Sequence, residues 1–411
     1  MSNPNPYAAL KLKEFRLFVT ARVCITMAMQ IQAVVVGWQM YELTKDPLSL
    51  GLIGLAEAIP SIGVSLYAGH VADIVHRKKI IIITLIALAF CSFSLLTFTT
   101  DPGAFVFQWG PVPLYVIIFT SGIARGFISP AWFSFMPQLV PRELYQNAIT
   151  WNSTLWEAAS ITGPALGGLV YGFFGITAAY AVDASLVVLG LSAALAISNK
   201  PLPPVSDEQG VAEKIKAGLR FVFQNKLILG AISLDLFAVL FGGAVALLPI
   251  FADEILHTGP VGLGLLRCAP SIGAVITAFY ITHNPIRKNM GKTMFWSVAG
   301  FGLCMICFAF SENFWLSISI LALSGVFDCI SVIIRGTLMQ TLTPENMKGR
   351  VSAVNYIFIG SSNEIGMFES GVAARILGVV PSVIFGGCMT IGVVATTAWL
   401  AKSLRKLQSL E

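Results

Sequence analysis

The sequence predicts an all-α integral membrane protein with twelve transmembrane helices in two pseudo-symmetric six-helix bundles. Composition is the first reason, because 56% of the 411 residues are hydrophobic and 11% are charged, whereas a soluble domain carries about 25% charged residues. The second reason is that the apolar runs reach the ~20 residues that a membrane-crossing helix requires. The third is an internal repeat that divides the chain into two similar halves.

The repeat relates the stretch Gly54–Gly63 to Gly264–Gly273, where six of ten positions are identical at a separation of 210 residues. The same separation carries Arg77-Lys78 onto Arg287-Lys288. A second echo, at a separation of 203, relates Pro141, Asn152 and Gly168 to Pro344, Asn355 and Gly371. Two halves in the same order therefore indicate a duplicated chain.

Each half holds six apolar segments, and each must be helical because lipid offers no partner for a free backbone group. The predicted spans lie at about 15–40, 48–68, 79–99, 112–136, 146–173, 176–197, 227–252, 260–282, 293–310, 314–341, 350–374 and 380–401. The longest polar segment follows the sixth span. We expect an N-terminal bundle at 1–198, a cytoplasmic linker with a short amphipathic helix at 199–226, and a C-terminal bundle at 227–411.

The basic residues predict the orientation of these spans. The two terminal segments and the loops after every second span hold 20 of the 26 Lys and Arg residues, if Arg16, Lys79 and Arg350 at the adjoining span ends are included. Short loops rich in Lys and Arg remain on the cytoplasmic side of a membrane. Both termini are therefore expected to be cytoplasmic.

Ionisable residues at membrane depth are costly and mark a transport pathway or an internal pair. Four acidic residues inside predicted spans are candidates for carrying a proton: Glu57, Asp235, Asp328 and Glu364. Glu57 and Glu364 lie at similar predicted heights in the outer half of the bilayer, where two neighbouring carboxylates can share one proton. The alternative is that each carboxylate simply bonds a nearby Ser, Asn or backbone group.

Depth also predicts one interhelical ion pair. At ~1.5 Å per residue, Glu157 on the fifth helix and Arg267 on the eighth lie at similar heights, roughly 16 Å from the cytoplasmic end of the fifth helix. We expect Glu157 and Arg267 to pair if these two helices are neighbours.

The loop between the second and third helices carries Gly69-x-x-x-Asp73-x-x-x-Arg77-Lys78. With the repeat of six helices, this loop resembles the major facilitator superfamily, whose signature reads Gly-x-Leu-Ala-Asp-Arg-x-Gly-Arg-Lys. Ile74 and His76 depart from that signature, and His283 replaces the Asp in the second half. The resemblance implies a cytoplasmic gate built from Gly69, Asp73, Arg77 and Lys78. The alternative is a basic cluster that only anchors the topology.

Two further motifs carry the resemblance. Gly163-Pro164-Ala-Leu-Gly167-Gly168 on the fifth helix resembles the antiporter signature of exporters. Its glycines permit close helix packing and its proline a bend, so the two halves could rock. A plain packing seam of small residues is the alternative. Arg125 in Gly122-Ile-Ala-Arg125-Gly126 resembles the buried Arg motif that this superfamily uses in proton transfer.

More narrowly, the chain resembles the enterobactin-exporter and drug-exporter branch in Phe15-Arg16-x5-Arg22, Tyr41-Glu42-Leu43-Thr44, Pro130-Ala131 and Gln340-Thr-x-Thr-Pro344-x5-Arg350-Val351. This resemblance implies a proton-coupled exporter of small organic or amphipathic molecules, of drug or siderophore type, in a bacterial inner membrane. It would work by alternating access. The expected partners are a small-molecule substrate, protons and the lipid bilayer. We expect a monomer that binds no nucleic acid, with the proton gradient as energy source and no metal or organic cofactor.

Seven residues on the first, fourth and seventh helices are candidates for lining the substrate cavity: Gln30, Gln32, Trp38, Trp132, Phe135, Phe237 and Phe241. Aromatic and apolar walls with few polar groups suit an amphipathic substrate. The alternative is that these aromatic side chains pack in the core or contact lipid.

An enzyme is not expected. Gly291-Lys292-Thr293 echoes a phosphate-binding loop, but Ile286 stands where that motif needs glycine, and no His-Glu-x-x-His is present. A transporter of lysophospholipid or another lipid with the same fold is the nearest alternative. A channel or a sensor derived from a transporter is a further one, although nothing resembles a selectivity filter and no soluble sensor domain is attached.

Overall fold

The computed structural model describes residues 6–100, 109–201, 211–284, 286, 288–344 and 347–408. Within these residues the regular structure is helical, with no β-strand, as expected for a chain that must satisfy its backbone groups inside lipid. The contacts divide the protein into two compact units: Met1–Leu43 with Ile59–Glu208, and Thr44–Ala58 with Gln209–Glu411. The division of the chain at 198 and 226 stays a prediction.

The described residues of the first half form five α-helices: α1 (Lys13–Thr44), α2 (Pro47–Ile74), α3 (Arg77–Thr100), α4 (Val112–Phe135) and α5 (Tyr145–Leu195). Helix α2 contributes to both units. Its beginning, within Thr44–Ala58, belongs to the second unit and its remainder to the first.

The second half begins with the short helix α6, within the predicted linker. The helices are α6 (Val211–Gln224), α7 (Lys226–Gly242), α8 (Gly259–His283), α9 (Met290–Ala309), α10 (Phe314–Leu342), α11 (Lys348–Leu377), α12 (Val379–Leu400) and α13 (Lys402–Arg405). Asparagine side chains cap two of the starts. Asn225 accepts hydrogen bonds from the N–H groups of Leu227 and Ile228, and Asn313 accepts one from that of Leu316.

Two single glycines turn the chain between membrane crossings. Helix α5 has 51 residues, about 77 Å at 1.5 Å per residue, which exceeds twice the ~30 Å of hydrocarbon. It turns at Gly175, with φ 83° and ψ 175°. Gly378, with φ 93° and ψ 161°, joins α11 to α12. This backbone region is essentially restricted to glycine. Because 203 residues separate the two glycines, the repeat extends to the backbone.

The number of crossings is consistent with the twelve predicted. Among the described residues, ten helices are long and apolar enough to span a membrane. Helix α5 counts once among them although it crosses twice. Helix α11 is not among them, although its 30 residues would suffice in length, because polar residues such as Asn363, Glu364 and Glu369 lower its hydropathy.

The predicted seventh span, 227–252, is a single helix only in part. Helix α7 ends at Gly242, and Gly243 has an extended backbone with φ −83° and ψ 111°. Short 3₁₀, α and π turns then lead to Ile255. Consecutive glycines followed by Pro249 favour this interruption, since both residue types disfavour a helix interior.

Candidate functional site

The antiporter-like motif forms a close contact between α5 and α1 in the first unit. A Cβ atom at Gly163 would lie 2.6 Å from the Cβ atom of Gln30, and one at Gly167 would lie 3.1 Å from the Cα atom of Ile31. Pro164 and Gly168 are also buried. Only glycine allows the two backbones to approach this closely, so the motif fixes the distance between α1 and α5.

Helix α1 also makes a polar contact with α5. The indole of Trp38 donates a hydrogen bond of 2.6 Å to one oxygen of Glu42, and the hydroxyl of Tyr171 donates one of 2.8 Å to the other. The rings of Trp38 and Tyr171 meet edge to face at 6.4 Å. Both oxygens of the Glu42 carboxylate are therefore held, and Trp38 is buried in this cluster.

The remaining cavity candidates lie in different surroundings. Trp132 and Phe135 are buried in the core of the first unit and pack on Phe18, with ring centroids 5.1 Å and 6.3 Å away. These contacts favour the core-packing interpretation for both residues. Gln30 packs on Gly163 and Gln32 is buried. In the second unit, Phe237 is 43% exposed, and the Phe241 carbonyl lies against Gly386.

The cytoplasmic gate residues are described only in part. Gly69 and Asp73 lie within α2, but the surroundings of Gly69 and the side chain of Asp73 are outside the described part of the protein. Lys78 donates hydrogen bonds from its ammonium to the carbonyls of Leu195, at 3.1 Å, and of Ile197. These carbonyls end α5, where a cation satisfies unpaired acceptors and complements the helix dipole. Lys78 therefore ties the start of α3 to the end of α5.

Three charged residues of the predicted set come together in the second unit. Glu57 on α2, Arg267 on α8 and Glu364 on α11 are all partly buried. The carboxylates of Glu57 and Glu364 are the charged groups whose fields act on the Arg267 guanidinium, and the Arg267 Nε atom is buried without a hydrogen bond. A shared guanidinium lets two carboxylates occupy one site.

Glycine contacts between α2 and α11 position this group of charges. A Cβ atom at Gly54 would lie 2.6 Å from the Glu364 carbonyl oxygen, and one at Gly51 would lie 3.0 Å from the Gly371 Cα atom. At the end of the same contact, two ion pairs hold the connection between α1 and α2. Lys45 pairs with Asp253 at 2.9 Å, and Asp46 pairs with Arg375 at 3.4 Å.

A buried ion pair joins α7 to α10. Asp235, a predicted proton carrier, forms a salt bridge with Arg335, and both side chains are less than a tenth exposed. An isolated buried charge would be very costly, so each partner keeps the other ionised. Asp328, also on α10, is partly buried.

Asp183 is a further candidate site residue, which the sequence alone does not single out. This residue lies in the second arm of α5, is 1% exposed, and accepts a hydrogen bond from the side chain of Ser92 on α3. The charge of Arg125 on α4 also acts on it. An acidic residue inside an apolar span was the available signal, but hydropathy gives depth and not the direction of a side chain.

The comparison with protein families decides the classification. The profile of the transmembrane secretion effector family matches residues 4–411, which is nearly the whole chain. The protein belongs to this family. It is therefore a multi-pass membrane transporter of the major facilitator superfamily, as the resemblance implied, and the prediction that it is not an enzyme is confirmed.

Curated relatives of this secretion effector protein are similar over most of its length. It is 27% identical over 345 residues to Enterobactin exporter EntS of Salmonella choleraesuis (strain SC-B67), which covers 83% of this chain and 80% of the relative. Enterobactin exporter EntS of Escherichia coli O1:K1 / APEC is 26% identical over 347 residues, with the same coverage. The similarity to this branch supports the narrower resemblance.

Solved structures share the fold of this family member at low sequence identity. The POT family transporter PepTSo has a TM-score of 0.76 at 12% identity and covers 96% of this chain and 98% of its own. A bacterial homologue of iron transporter ferroportin, in the inward-facing state, has a TM-score of 0.71 at 16% identity and covers 96% and 99%. These likenesses show a transporter fold of the major facilitator type.

The predicted pair of Glu157 and Arg267 stays a prediction. Glu157 is partly buried on α5 of the first unit, whereas Arg267 belongs to the second. Among the described residues, no group of three His, Cys, Asp or Glu side chains could hold a metal ion.

Proposed function

We propose that this secretion effector protein is a proton-coupled exporter of small amphipathic organic molecules, of the siderophore or drug type. It works by alternating access in a bacterial inner membrane, with both termini in the cytoplasm. The observation that carries the proposal is the contact of Gly163 and Gly167 with α1, where a Cβ atom would lie 2.6 Å and 3.1 Å from α1 atoms. This contact gives the antiporter-like motif a physical role, because it builds a tight interface on which α1 and α5 move together.

The relatives support the direction of transport and the substrate class. Proteins that are 26–27% identical over 83% of this chain are named enterobactin exporters. We infer that the substrate here is also a molecule with both aromatic and polar groups. In the second unit, the 43% exposed ring of Phe237 offers an aromatic surface to such a molecule. In the first unit, the partly buried side chain of Gln30 carries an amide that can form hydrogen bonds with polar groups.

Proton coupling is supported by the charges inside the spans. Glu57 and Glu364 lie around one guanidinium, that of Arg267. Protonation of either carboxylate changes the net charge of this group. A change of charge inside the membrane alters the free energy of exposing the site to water or to lipid. Such a group can therefore couple a proton to a conformational change, with the proton gradient as the energy source and no cofactor.

Transport in inside-out vesicles tests the proposal. Vesicles with the protein should accumulate a catecholate siderophore or a cationic dye when the interior is acidified, with a rate that saturates, and a protonophore should abolish the accumulation. Glu57→Gln or Glu364→Gln should reduce it. Vesicles carrying the variant Gly163→Leu, whose side chain would clash with Gln30 of α1, provide a matched control for nonspecific leakage. Accumulation that is independent of the pH gradient for every compound would contradict proton-coupled export, and movement of lysophospholipid in its place would favour the lipid-transport alternative.

A further inference from the structure

Each half of the chain has an arginine at the same place in the repeat, partly buried in the first half and buried in the second. Arg125 on α4 and Arg335 on α10 are 210 residues apart, the separation that relates Gly54–Gly63 to its copy. Each arginine faces a carboxylate, but the carboxylates come from different helices. Arg335 pairs with Asp235 of α7, whereas the charge of Arg125 acts on Asp183 in the second arm of α5.

The exchange of partner has a sequence cause. At the separation of 210 residues that relates Arg125 to Arg335, Asp235 corresponds to Ile25 of α1. The first half therefore has an apolar residue where the second half has the acid. Arg22, which lies three residues before Ile25, is a cation that donates a hydrogen bond of 3.0 Å to Asn152 and cannot neutralise Arg125. Asp183 supplies a negative charge instead.

The two carboxylates differ in how completely they are bound. Asp235 is held in its salt bridge with Arg335. Asp183 accepts a hydrogen bond from Ser92, yet its Oδ2 atom is buried without a hydrogen-bond partner. A buried carboxylate oxygen that lacks a partner is rare and calls for an explanation. Protonation of that oxygen would explain it, because an apolar interior favours the neutral acid over the carboxylate.

The groups that surround Asp183 allow either charge state. Among the described residues, α3 contributes Ser92 and the thiol of Cys91, and α4 contributes Arg125. On its own helix, Tyr180 lies one turn away, and its hydroxyl donates a hydrogen bond of 2.6 Å to Gln39 of α1. Arg125 is the cation in this set and favours the carboxylate, whereas the 1% exposure of Asp183 favours the acid.

We propose that Asp183 is a proton-binding residue of the transporter and that Arg125 is its counter-charge, whereas Asp235 stays ionised beside Arg335. A proton adds to the free Oδ2 atom, one O–H bond forms, and the charge of the Asp183–Arg125 pair changes from zero to +1. Release of the proton restores the neutral pair. The proposal rests on proton-coupled export for its use in transport, but proton binding itself is independent of the substrate.

Infrared difference spectroscopy on the purified protein in lipid nanodiscs tests proton binding without any substrate. The C=O stretch of a protonated carboxyl group should titrate with pH in the wild type and in Asp235→Asn, and should lose one component in Asp183→Asn. Retention of the whole band in Asp183→Asn would overturn the proposal. Ser92→Ala provides a second route if Asp183→Asn does not fold, because loss of its hydrogen bond must move the midpoint of this component. An unchanged midpoint would count equally against the proposal.

Transport separates this proposal from the proposed function. The ratio of efflux with and without a pH gradient should fall about tenfold in Asp183→Asn, within the range usual for coupling between two sites, while downhill substrate movement persists. Conversely, a wild-type protein that binds the proton at Asp183 but exports nothing in response to the gradient would refute proton-coupled export and leave the proton site supported.

Discussion

At the scale of single residues, the absence of side chains at two glycines constrains the packing of the first unit. Gly163 leaves room for Gln30, and Gly167 leaves room for Ile31. Hydrophobic driving force is weak between helices in lipid, so close backbone contact supplies much of their attraction. The antiporter-like motif therefore forms a packing seam of small residues, and its role in antiport stays a prediction.

Gly163→Ala should destabilise the protein and slow transport. The new Cβ atom would lie 2.6 Å from the Cβ atom of Gln30, which forces α1 and α5 apart at a cost of about 1–3 kcal/mol. Thermal unfolding in detergent and vesicle transport would measure the effect. Gly392→Ala in α12 is the control, because nothing lies within 4 Å of a Cβ atom there. Equal behaviour of the two variants would contradict a role for close packing at Gly163.

Asp235→Asn should destabilise the second unit more than the double variant Asp235→Asn with Arg335→Gln. The single change leaves the Arg335 guanidinium buried without its counter-charge, which costs about 3–5 kcal/mol. The double change removes both charges. Unfolding midpoints of the two single variants and the double variant would reveal the coupling, and additive effects would show that the two side chains act independently.

The charged residues inside the spans can be identified from the sequence, but their interaction partners cannot. Apolar spans interrupted by Glu57, Arg267 and Glu364 stand out in the sequence, and a rise of ~1.5 Å per residue gives their depth. Depth does not give the side of the helix or the identity of its neighbour. Asp183 is an example. Its position in an apolar span can be read from the sequence, but its interactions with Ser92 and Arg125 depend on the packing of three helices.

At the scale of helices, the turns at Gly175 and Gly378 are the least replaceable parts of the backbone. Both have the positive φ and extended ψ that glycine alone adopts without strain. Nothing lies within 4 Å of a Cβ atom at Gly175, so any effect of a side chain there arises from the backbone. At Gly378 the nearest atoms, of Pro381, lie at 3.6 and 3.9 Å, which is ordinary van der Waals contact. Gly175 therefore separates backbone strain from steric contact.

Gly175→Ala and Gly378→Ala should each destabilise the protein by about 1–3 kcal/mol, with similar values because the two turns are repeats of each other. The chemical denaturation midpoint of each variant, measured in the same detergent, would test this expectation. Gly336→Ala is a suitable control, since it lies inside α10 with nothing within 4 Å of its Cβ position. A neutral result at both turns would show that the chain there relaxes without strain.

Most of the helices could be predicted from the length of apolar runs, because lipid leaves no alternative secondary structure. The exception is the end of α7, where Gly242 and Gly243 interrupt a run that remains apolar through Ile250. Hydropathy measures composition and does not detect this change in the backbone. The helix ends here because glycine loses much conformational entropy in a helix and because Pro249 lacks a backbone N–H group.

At the scale of the whole molecule, the distribution of Lys and Arg predicts that both termini face the cytoplasm. A fluorescent protein that matures only in the cytoplasm should be bright when fused after Glu411. Alkaline phosphatase, which is active only outside the cytoplasm, should be active when fused to a chain truncated at Gly175. The reverse pattern would invert the orientation. The two fusion sites control for each other because they have opposite expected locations.

Four short connections between helices limit how antibodies and proteases outside the cell could recognise this protein. Two residues, Lys45 and Asp46, join α1 to α2, four residues join α9 to α10, and one glycine each turns α5 and joins α11 to α12. In the predicted orientation these connections all face the outside. Antibodies and proteases recognise protruding loops, so these four connections offer little that either could bind. An epitope tag placed at one of the four would have to form its own protruding loop.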